Sequence, residues 1–171
     1  MRILVTGSNG MLGSDLVAEL EPFYEVCGLG KRSNLHPQIS YVQVNICNRS
    51  AVFKAFSALK PALVVHAAAF TDVDGCEHNP SEAFLVNAKG TEFAAQAADE
   101  VGATLFFMST DYVFDGKKRF PYNEEDQPNP LSVYGRSKFK AEEWLKSYSR
   151  SVWIIRTSWL FGKNGNNFFR T

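Results

Sequence analysis

The stretch "VTGSNGMLG" at residues 5–13 joins the apolar run "RILVT" (2–6) to a helical pattern over 11–20. Its glycines, Gly7, Gly10 and Gly13, are spaced three and three, which is a looser relative of the Gly-x-Gly-x-x-Gly pattern. Glycines at such a strand-to-helix turn allow a tight turn, the approach of a diphosphate and close packing of the helix on the strand. The N–H groups of the first helical turn then face the phosphates. The stretch predicts a dinucleotide-binding turn in preference to an ordinary glycine-rich connection.

The rest of the chain alternates apolar runs with helical patterns. Further strands are predicted over 24–29, 41–44, 62–67, 104–109 and 151–157, and further helices over 49–59, 79–100 and from about Ser132. The runs are apolar nearly throughout, as are strands that are buried on both faces of a parallel sheet. We therefore expect an α/β fold, a doubly wound parallel sheet that is Rossmann-like, with strand order 3-2-1-4-5-6.

Two segments have features of their own. In the long helix over 79–100, Asn79 is the expected capping residue and Pro80 the first helical residue. The segment 114–132 holds three prolines and predicts a long loop over one edge of the domain. Loops of this length in a compact domain are often functional.

Composition limits the class of protein. The chain has 171 residues, enough for one domain, and its 18 Lys and Arg balance 18 Asp and Glu, which speaks against a nucleic-acid partner. Cys27, Cys47 and Cys76 are odd in number and include no Cys-x-x-Cys, which favours a reducing, cytoplasmic compartment. Three scattered histidines predict no metal site, and the absence of an apolar run near ~20 residues predicts no membrane partner.

The end of the second strand bears on the choice of dinucleotide. An acidic residue that binds the adenine ribose is expected about 20 residues after the glycine turn. The stretch "GLGKRS" (28–33) has no carboxylate there, but it has Lys31 and Arg32. Basic side chains suit a 2′-phosphate, so NADP(H) is favoured and NAD(H) stays possible. The alternative is that both are solvated loop charges.

A second motif lies at the start of the last helix, in "VYGRSKFKAEEW" (133–144). Tyr134 and Lys138 are four residues apart and therefore lie on one helical face, as a catalytic couple or as two surface residues. Strand five ends in "MSTDYVFDG" (108–116), which supplies a hydroxyl at Ser109 or Thr110. The glycine turn, the hydroxyl and the Tyr-x-x-x-Lys pair occur in the order that is typical of the short-chain dehydrogenase/reductase superfamily, which this chain resembles.

The resemblance implies the catalytic residues Thr110, Tyr134 and Lys138. Tyr134 would give a proton to the oxygen of a ketone as hydride reaches its carbon, but a free phenol has a pKa of about 10. Lys138 would lower that pKa and hold the nicotinamide ribose. Thr110 would donate a hydrogen bond to the substrate oxygen, and Ser109 could replace it.

Longer strings narrow the resemblance. They are "AAAFTDVDGCE" (67–77), "STDYVFDG" (109–116), "VYGRSK" (133–138) and "RTSWLFGKNGNNF" (156–168). Together they resemble the dTDP-4-dehydrorhamnose reductases, over the chain from Arg2 to its last residue. That resemblance implies NADPH-dependent reduction of the 4-keto group of a dTDP-4-keto-6-deoxy sugar in dTDP-rhamnose biosynthesis.

The resemblance also implies binding residues. Besides the three glycines, Lys31 and Arg32, the cofactor would contact Asn9, Met11, Leu12, Asn45, Ile46, Ala67, Ala68, Ala69, Asn87, Tyr134 and Lys138. The substrate would contact Thr110, Asp111, Tyr134 and Trp159. Asn87 would support the lysine through water or serve as a structural amide, and Trp159 could instead be a core aromatic residue.

The chain departs from the family in two places. Members usually have an aspartate near the adenine after strand three, where "VNICN" (44–48) has Asn45, whose amide can still accept from the adenine amino group. Members also continue into a substrate lobe, whereas this chain ends at Thr171. We therefore expect residues 1–171 to form an NAD(P)-binding domain in which a substrate-binding region begins at about 157–171, with the substrate lobe largely absent.

Other functions stay open at this point. A sugar-nucleotide epimerase or dehydratase would have a related fold, but dehydratases carry Thr-Asp-Glu where this chain has Tyr112 after Asp111. A regulatory subunit that resembles the β subunit of methionine adenosyltransferase could keep the same motifs without catalysis. The residues do not decide the oligomeric state, and a homodimer stays open.

Overall fold

The computed structural model describes residues 1–148 and 151–164, and these form one six-stranded sheet. The strands are β1 (Arg2–Thr6), β2 (Glu25–Gly30), β3 (Ser40–Gln43), β4 (Leu63–His66), β5 (Thr104–Thr110) and β6 (Val152–Thr157). Their order is β3-β2-β1-β4-β5-β6, and every pairing is parallel. The predicted Rossmann-like sheet and its strand order are confirmed, and the predicted strand ends differ by one residue at most.

Helices connect the strands. They are α1 (Met11–Leu20), α2 (Arg49–Leu59), α3 (Val73–His78), α4 (Pro80–Phe84), α5 (Gly90–Glu100) and α6 (Val133–Tyr148). A π-helical segment (Leu85–Lys89) joins α4 to α5, and a short 3₁₀ turn (Asp111–Val113) follows β5. The segment 114–132 contains neither helix nor strand, as predicted.

The core consists of apolar clusters on the two faces of the sheet. On one face, Leu4, Val64 and Leu105 of the strands pack in a cluster with side chains of α2, α5 and α6. On the other face, Ile3 and Val5 pack with side chains of α1. Neighbouring residues of one strand thus point to opposite clusters, and this explains why the strands are apolar nearly throughout.

The prediction of one helix over 79–100 is wrong in two respects. The π-helical segment interrupts it, and Asn79, although it precedes the first helical residue Pro80 as predicted, makes no side-chain capping bond. The Asn79 amide donates instead to the carbonyl oxygen of Gly75, at 3.2 Å. The sequence prediction also missed α3, which is six residues long and begins where the Asp72 carboxylate accepts from the N–H of Gly75, at 3.0 Å.

The fold leaves a large opening at the carboxyl ends of the strands. It lies where the strand order reverses between β1 and β4, which is the usual ligand position in open α/β sheets. Within the described residues, no helix is long and apolar enough to cross a membrane.

Candidate active site

The opening is a cavity of about 1460 Å³. Pockets for one small ligand are usually about 300 to 1,000 Å³, so this cavity has room for an extended ligand and a second molecule beside it. Every predicted site residue except Asn87 lines it, namely Gly7, Asn9, Gly10, Met11, Leu12, Gly13, Lys31, Arg32, Asn45, Ile46, Ala67, Ala68, Ala69, Thr110, Asp111, Tyr134, Lys138 and Trp159. Residues 165–171 of the predicted substrate region lie outside the described residues.

The glycine turn forms one end of the cavity, and its three glycines meet different needs. Gly7 has a φ of +70°, and a Cβ there would lie 2.8 Å from the Cα of Ala68. A Cβ on Gly13 would lie 2.1 Å from the carbonyl oxygen of Gly7, so the helix could not pack on the turn. A Cβ on Gly10 would meet only that same oxygen, at 3.1 Å, and would otherwise extend into open space.

The start of α1 therefore fits a diphosphate. Gly10 precedes the first helical residue, and the first turn contains no acidic side chain that would repel an anion. The first N–H groups of a helix have no intrahelical partner and lie at the positive end of its dipole. The absence of a side chain at Gly10 keeps that end accessible from the cavity.

Lys31 and Arg32 directly follow β2 and are exposed at the cavity wall. Asn9 ties the glycine turn to the loop that contains them. Its amide donates to the carbonyl oxygen of Ser33 at 2.7 Å, and its side-chain oxygen accepts from the N–H of Leu35 at 3.2 Å. The side chain of Asn9 thus fixes the position of two basic residues relative to the turn.

Thr110, Tyr134 and Lys138 meet on the other side of the cavity. Tyr134 is half-buried, and the Thr110 side chain lies close enough to it to lower its pKa. The Thr110 hydroxyl also donates to the carboxylate of Asp111, at 3.1 Å. Lys138 is almost completely buried, its ammonium donates to the carbonyl oxygen of Met108 at 2.6 Å, and it lies 4.1 Å from the centre of the Phe107 ring.

The protonation of this pair differs from the sequence-based expectation that Lys138 lowers the pKa of Tyr134. Burial raises the pKa of Tyr134, against the opposing effect of the nearby Thr110 side chain. Burial also lowers the pKa of Lys138 to about 7, while the Glu142 carboxylate acts to raise it. Burial thus dominates the pKa of both groups, and the ammonium of Lys138 is bonded to the backbone carbonyl of Met108.

A buried ionic network, which the sequence prediction missed, lies behind the lysine. Glu142 is fully buried and accepts the Ser109 hydroxyl at 2.6 Å and the Arg156 guanidinium at 2.6 and 3.0 Å. The Ser109 hydroxyl is therefore bound to Glu142, whereas the Thr110 side chain lines the cavity beside Tyr134. The spacing of Glu142, one helical turn after Lys138, was a signal that could have revealed it.

A second missed network surrounds His66 at the end of β4. Its Nδ1 lies 2.7 Å from the hydroxyl of Thr6, and its Nε2 lies 3.1 Å from the hydroxyl of Thr91. The Thr6 hydroxyl also accepts from the N–H of Ala68, at 3.2 Å. Burial lowers the pKa of His66 to about 3, with a further contribution from Lys138, so the ring is neutral and holds the loop after β4 in place.

Asn87 is the one predicted site residue that does not line the cavity. It is fully buried on the π-helical segment, where its side-chain oxygen accepts from the N–H of Phe70 at 2.7 Å. Its amide nitrogen donates to the carbonyl oxygen of Phe70 at 3.0 Å and to the hydroxyl of Ser137 at 2.9 Å. The amide thus joins the loop after β4 to helix α6, next to Lys138.

The remaining predicted residues lie at the two ends of the cavity. Asp111 accepts the hydroxyl of Ser158 at 2.6 Å, beside Trp159. Trp159 has a φ of +51° and is 75% exposed, so it is not a core aromatic residue. At the opposite end, the Asn45 side chain accepts from the N–H of Cys47 at 3.0 Å. The described part of the chain contains no cluster of three or more side chains that could hold a metal ion.

Comparison with known proteins places this architecture in a family. The family described as the RmlD substrate binding domain matches residues 1–171. The chain is 40% identical over 172 residues to dTDP-4-dehydrorhamnose reductase of Aggregatibacter actinomycetemcomitans, which covers 99% of this chain and 55% of that protein. It is 39% identical over 171 residues to the spore coat polysaccharide biosynthesis protein SpsK of Bacillus subtilis, covering 99% and 57%.

Solved structures agree with these relatives. The dTDP-4-dehydrorhamnose reductase of Bacillus anthracis, in complex with NADP, superimposes with a TM-score of 0.90 at 38% identity and covers 99% of this chain and 57% of that one. The chain thus spans somewhat over half the length of the relatives that it matches. Since the match extends over residues 1–171, the chain belongs to the RmlD substrate binding domain family.

Proposed function

We propose that this chain binds NADPH and supplies the catalytic residues for reduction of the 4-keto group of a dTDP-4-keto-6-deoxy sugar, from dTDP-4-dehydrorhamnose to dTDP-L-rhamnose. The observation that supports this most strongly is the common cavity of the glycine turn and of Thr110, Tyr134 and Lys138. The names of the relatives, and the NADP bound to the Bacillus anthracis reductase, support the same reaction.

The residues present fit the roles that such a reduction needs. When bound, NADPH supplies the hydride. Because burial raises the pKa of Tyr134, its hydroxyl keeps its proton at neutral pH and can transfer it to the substrate oxygen. Thr110 lines the same cavity beside Tyr134, and its hydroxyl would orient the same oxygen.

Lys138 has two roles in this proposal. With a pKa of about 7, it carries a charge in part of the molecules at neutral pH, and this charge favours the phenolate that remains after proton transfer. The resemblance to the short-chain reductases also implies that Lys138, which lies on α6 one turn after Tyr134, would hold the nicotinamide ribose. The same ammonium would then exchange its bond to Met108 for bonds to the cofactor.

NADP(H) is the proposed cofactor, and NAD(H) stays possible. Gly10 and the start of α1 offer a site for the diphosphate, while Lys31 and Arg32 lie on the same wall and have the charge that a 2′-phosphate needs. Residues 1–171 would form the NAD(P)-binding domain, in which the substrate-binding region begins at about 157–171. Asp111 and Trp159 are the residues proposed to contact the dTDP-sugar.

The cellular setting follows from the same reaction. The three cysteines are free thiols in the structure, as expected in the reducing cytoplasm, where we propose that the protein acts. A homodimer remains a prediction. Dehydratases have a second carboxylate directly after the aspartate, where this chain has Tyr112 after Asp111. The lack of this carboxylate favours reduction over dehydration at this cavity.

The variant Tyr134→Phe tests the proposed proton donor. We expect its affinity for NADPH to stay within about twofold, because the ring is kept, and its turnover of the dTDP-sugar to fall by about 10²-fold or more. Fluorescence titration gives the affinity, and NADPH absorbance gives the turnover. Tyr24→Phe, at an exposed tyrosine before β2, is the matched control. Equal losses of affinity and turnover in Tyr134→Phe would refute the proton-donor role.

A further inference from the structure

We propose that Tyr41 is a positioning residue that determines the preference for NADPH over NADH. It would act through the basic loop, which we define as residues 31–36, the segment that follows β2 and begins with Lys31 and Arg32. This inference rests on the proposed cofactor function. It assigns a role to a side chain on β3 that does not itself line the cavity.

The first observation is the space that β2 provides for the tyrosine ring. Tyr41 of β3 is the partner of Gly28 in the parallel ladder. A Cβ on Gly28 would lie 2.8 Å from the Cδ2 of Tyr41, and a Cβ on Gly30 would lie 2.8 Å from its hydroxyl oxygen. Two glycines on one face of β2 thus allow the ring to extend to the end of that strand.

The second observation is the bond that this position permits. The Tyr41 hydroxyl donates to the carbonyl oxygen of Arg32 at 2.5 Å. Asn9 is a further partner, since its amide lies 3.4 Å from the same hydroxyl. Burial raises the pKa of Tyr41, so its hydroxyl remains a donor at neutral pH.

The third observation is that β3 holds both basic residues by their backbone. Gln43, two residues after Tyr41 and therefore on the same face, donates to the carbonyl oxygen of Lys31 at 3.2 Å. The two carbonyl groups are thus fixed from β3, whereas the two cationic side chains remain exposed at the cavity wall.

The expected consequence is an effect on one cofactor only. A loop that is ordered before binding loses less conformational entropy when its charges bind a phosphate. NADPH has a 2′-phosphate for Lys31 and Arg32 to bind, and NADH has none. Removing the hydroxyl of Tyr41 should therefore weaken NADPH and leave NADH unaffected.

The variant Tyr41→Phe tests this inference, because it keeps the ring against Gly28 and Gly30 and removes only the hydroxyl. Dissociation constants for NADPH and NADH are measured by fluorescence titration on the wild-type chain, on Tyr41→Phe and on the control Tyr24→Phe. One hydrogen bond predicts a rise of about threefold to tenfold in the NADPH constant. We expect an unchanged NADH constant for Tyr41→Phe, and no change with either cofactor for the control.

A double-mutant cycle separates positioning from general stability. In a chain that already carries Lys31→Ala and Arg32→Ala, Tyr41→Phe should no longer affect NADPH, since the charges through which it acts are gone. Equal weakening of NADPH and NADH, no weakening of NADPH, or an undiminished effect in the double-alanine background would overturn the inference. Failure of the wild-type chain to bind either cofactor would overturn the proposed function itself, and this inference with it.

Discussion

The side chain of Lys138 is almost completely buried, and burial is unfavourable for a charged ammonium group. Its neighbours offset the loss of hydration only in part. The carbonyl oxygen of Met108 accepts its hydrogen bond, the face of Phe107 lies below it, and the Glu142 carboxylate raises its pKa. The pKa nevertheless falls to about 7, so a group that is fully charged in the unfolded chain is only partly charged in the folded one.

This difference predicts how stability depends on pH. Between pH 7 and about 10, the unfolded chain keeps the proton on Lys138 and the folded chain loses it, so the contribution of this group to stability rises with pH. Lys138→Met should therefore raise the melting temperature near pH 6 to 7, where the wild type buries a charge, and this advantage should shrink toward about pH 10.

Thermal denaturation of both proteins across this pH range checks the prediction, with Lys140→Met, at an exposed lysine on the same helix, as control. A difference between Lys138→Met and wild type that stays constant with pH would contradict it. Loss of turnover in Lys138→Met, despite its higher melting temperature, would show that the buried charge is kept for function at the expense of stability.

At the scale of elements, α6 carries both Tyr134 and Lys138, and its start is fixed by a distant side chain. The Glu77 carboxylate at the end of α3 accepts from the N–H of Val133, the first residue of α6, at 2.6 Å. A carboxylate at this end of a helix satisfies an unpaired donor and complements the helix dipole. Helix α3 thus helps to set the position of Tyr134.

Glu77→Ala should remove this cap, because alanine has no side-chain oxygen to accept the hydrogen bond. Loss of a capping interaction is worth about 1 kcal/mol, which lowers the melting temperature of a chain of this size by about 2 to 4 °C. Differential scanning calorimetry measures the change, and Glu143→Ala, at an exposed residue of α6, is the matched control. An unchanged melting temperature in Glu77→Ala, or an equal fall in both variants, would contradict the capping role.

The elements that could be predicted from sequence are those whose signal is local. The apolar strands and the glycine turn imply the parallel sheet and its order. A strand that is buried on both faces needs apolar residues throughout, and a turn with open space at Gly10 needs a residue without a side chain, so both features can be read from the local sequence. The π-helical segment has no local sequence signal of this kind. Its residue Asn87 bonds to Phe70 and Ser137, which are distant in sequence, and these contacts exist only in the folded chain. Helix α3 is too short for its apolar residues to show a helical periodicity.

Some residues of the candidate site could likewise be predicted from the sequence, and others could not. The order and spacing of Thr110, Tyr134 and Lys138 predict a common site, and the structure brings all three to one cavity. The networks around Glu142 and His66 could not be predicted, because their partners come from different strands and meet only in the folded chain. The protonation of Tyr134 and Lys138 also depends on burial, which a sequence pattern does not give.

The whole molecule brings the glycine turn and the proposed proton donor Tyr134 to one cavity, in a chain that spans somewhat over half the length of its relatives. The residues that line the cavity include both the glycine turn and the side chains of Thr110, Tyr134 and Lys138. Binding of the cofactor and transfer of hydride can therefore be tested on the same protein sample.

The most direct test is NADPH consumption by this chain on addition of a dTDP-4-keto-6-deoxy sugar, with cofactor binding followed by fluorescence in the same sample. We expect saturable binding of NADPH and a loss of NADPH absorbance that depends on the dTDP-sugar and disappears in Tyr134→Phe. Binding of NADPH without any consumption would contradict reduction by this chain on its own and would leave two explanations, a shortened enzyme and a nucleotide-binding subunit, which the same assay on a longer chain would separate. Absence of NADPH binding would contradict the proposed function as a whole.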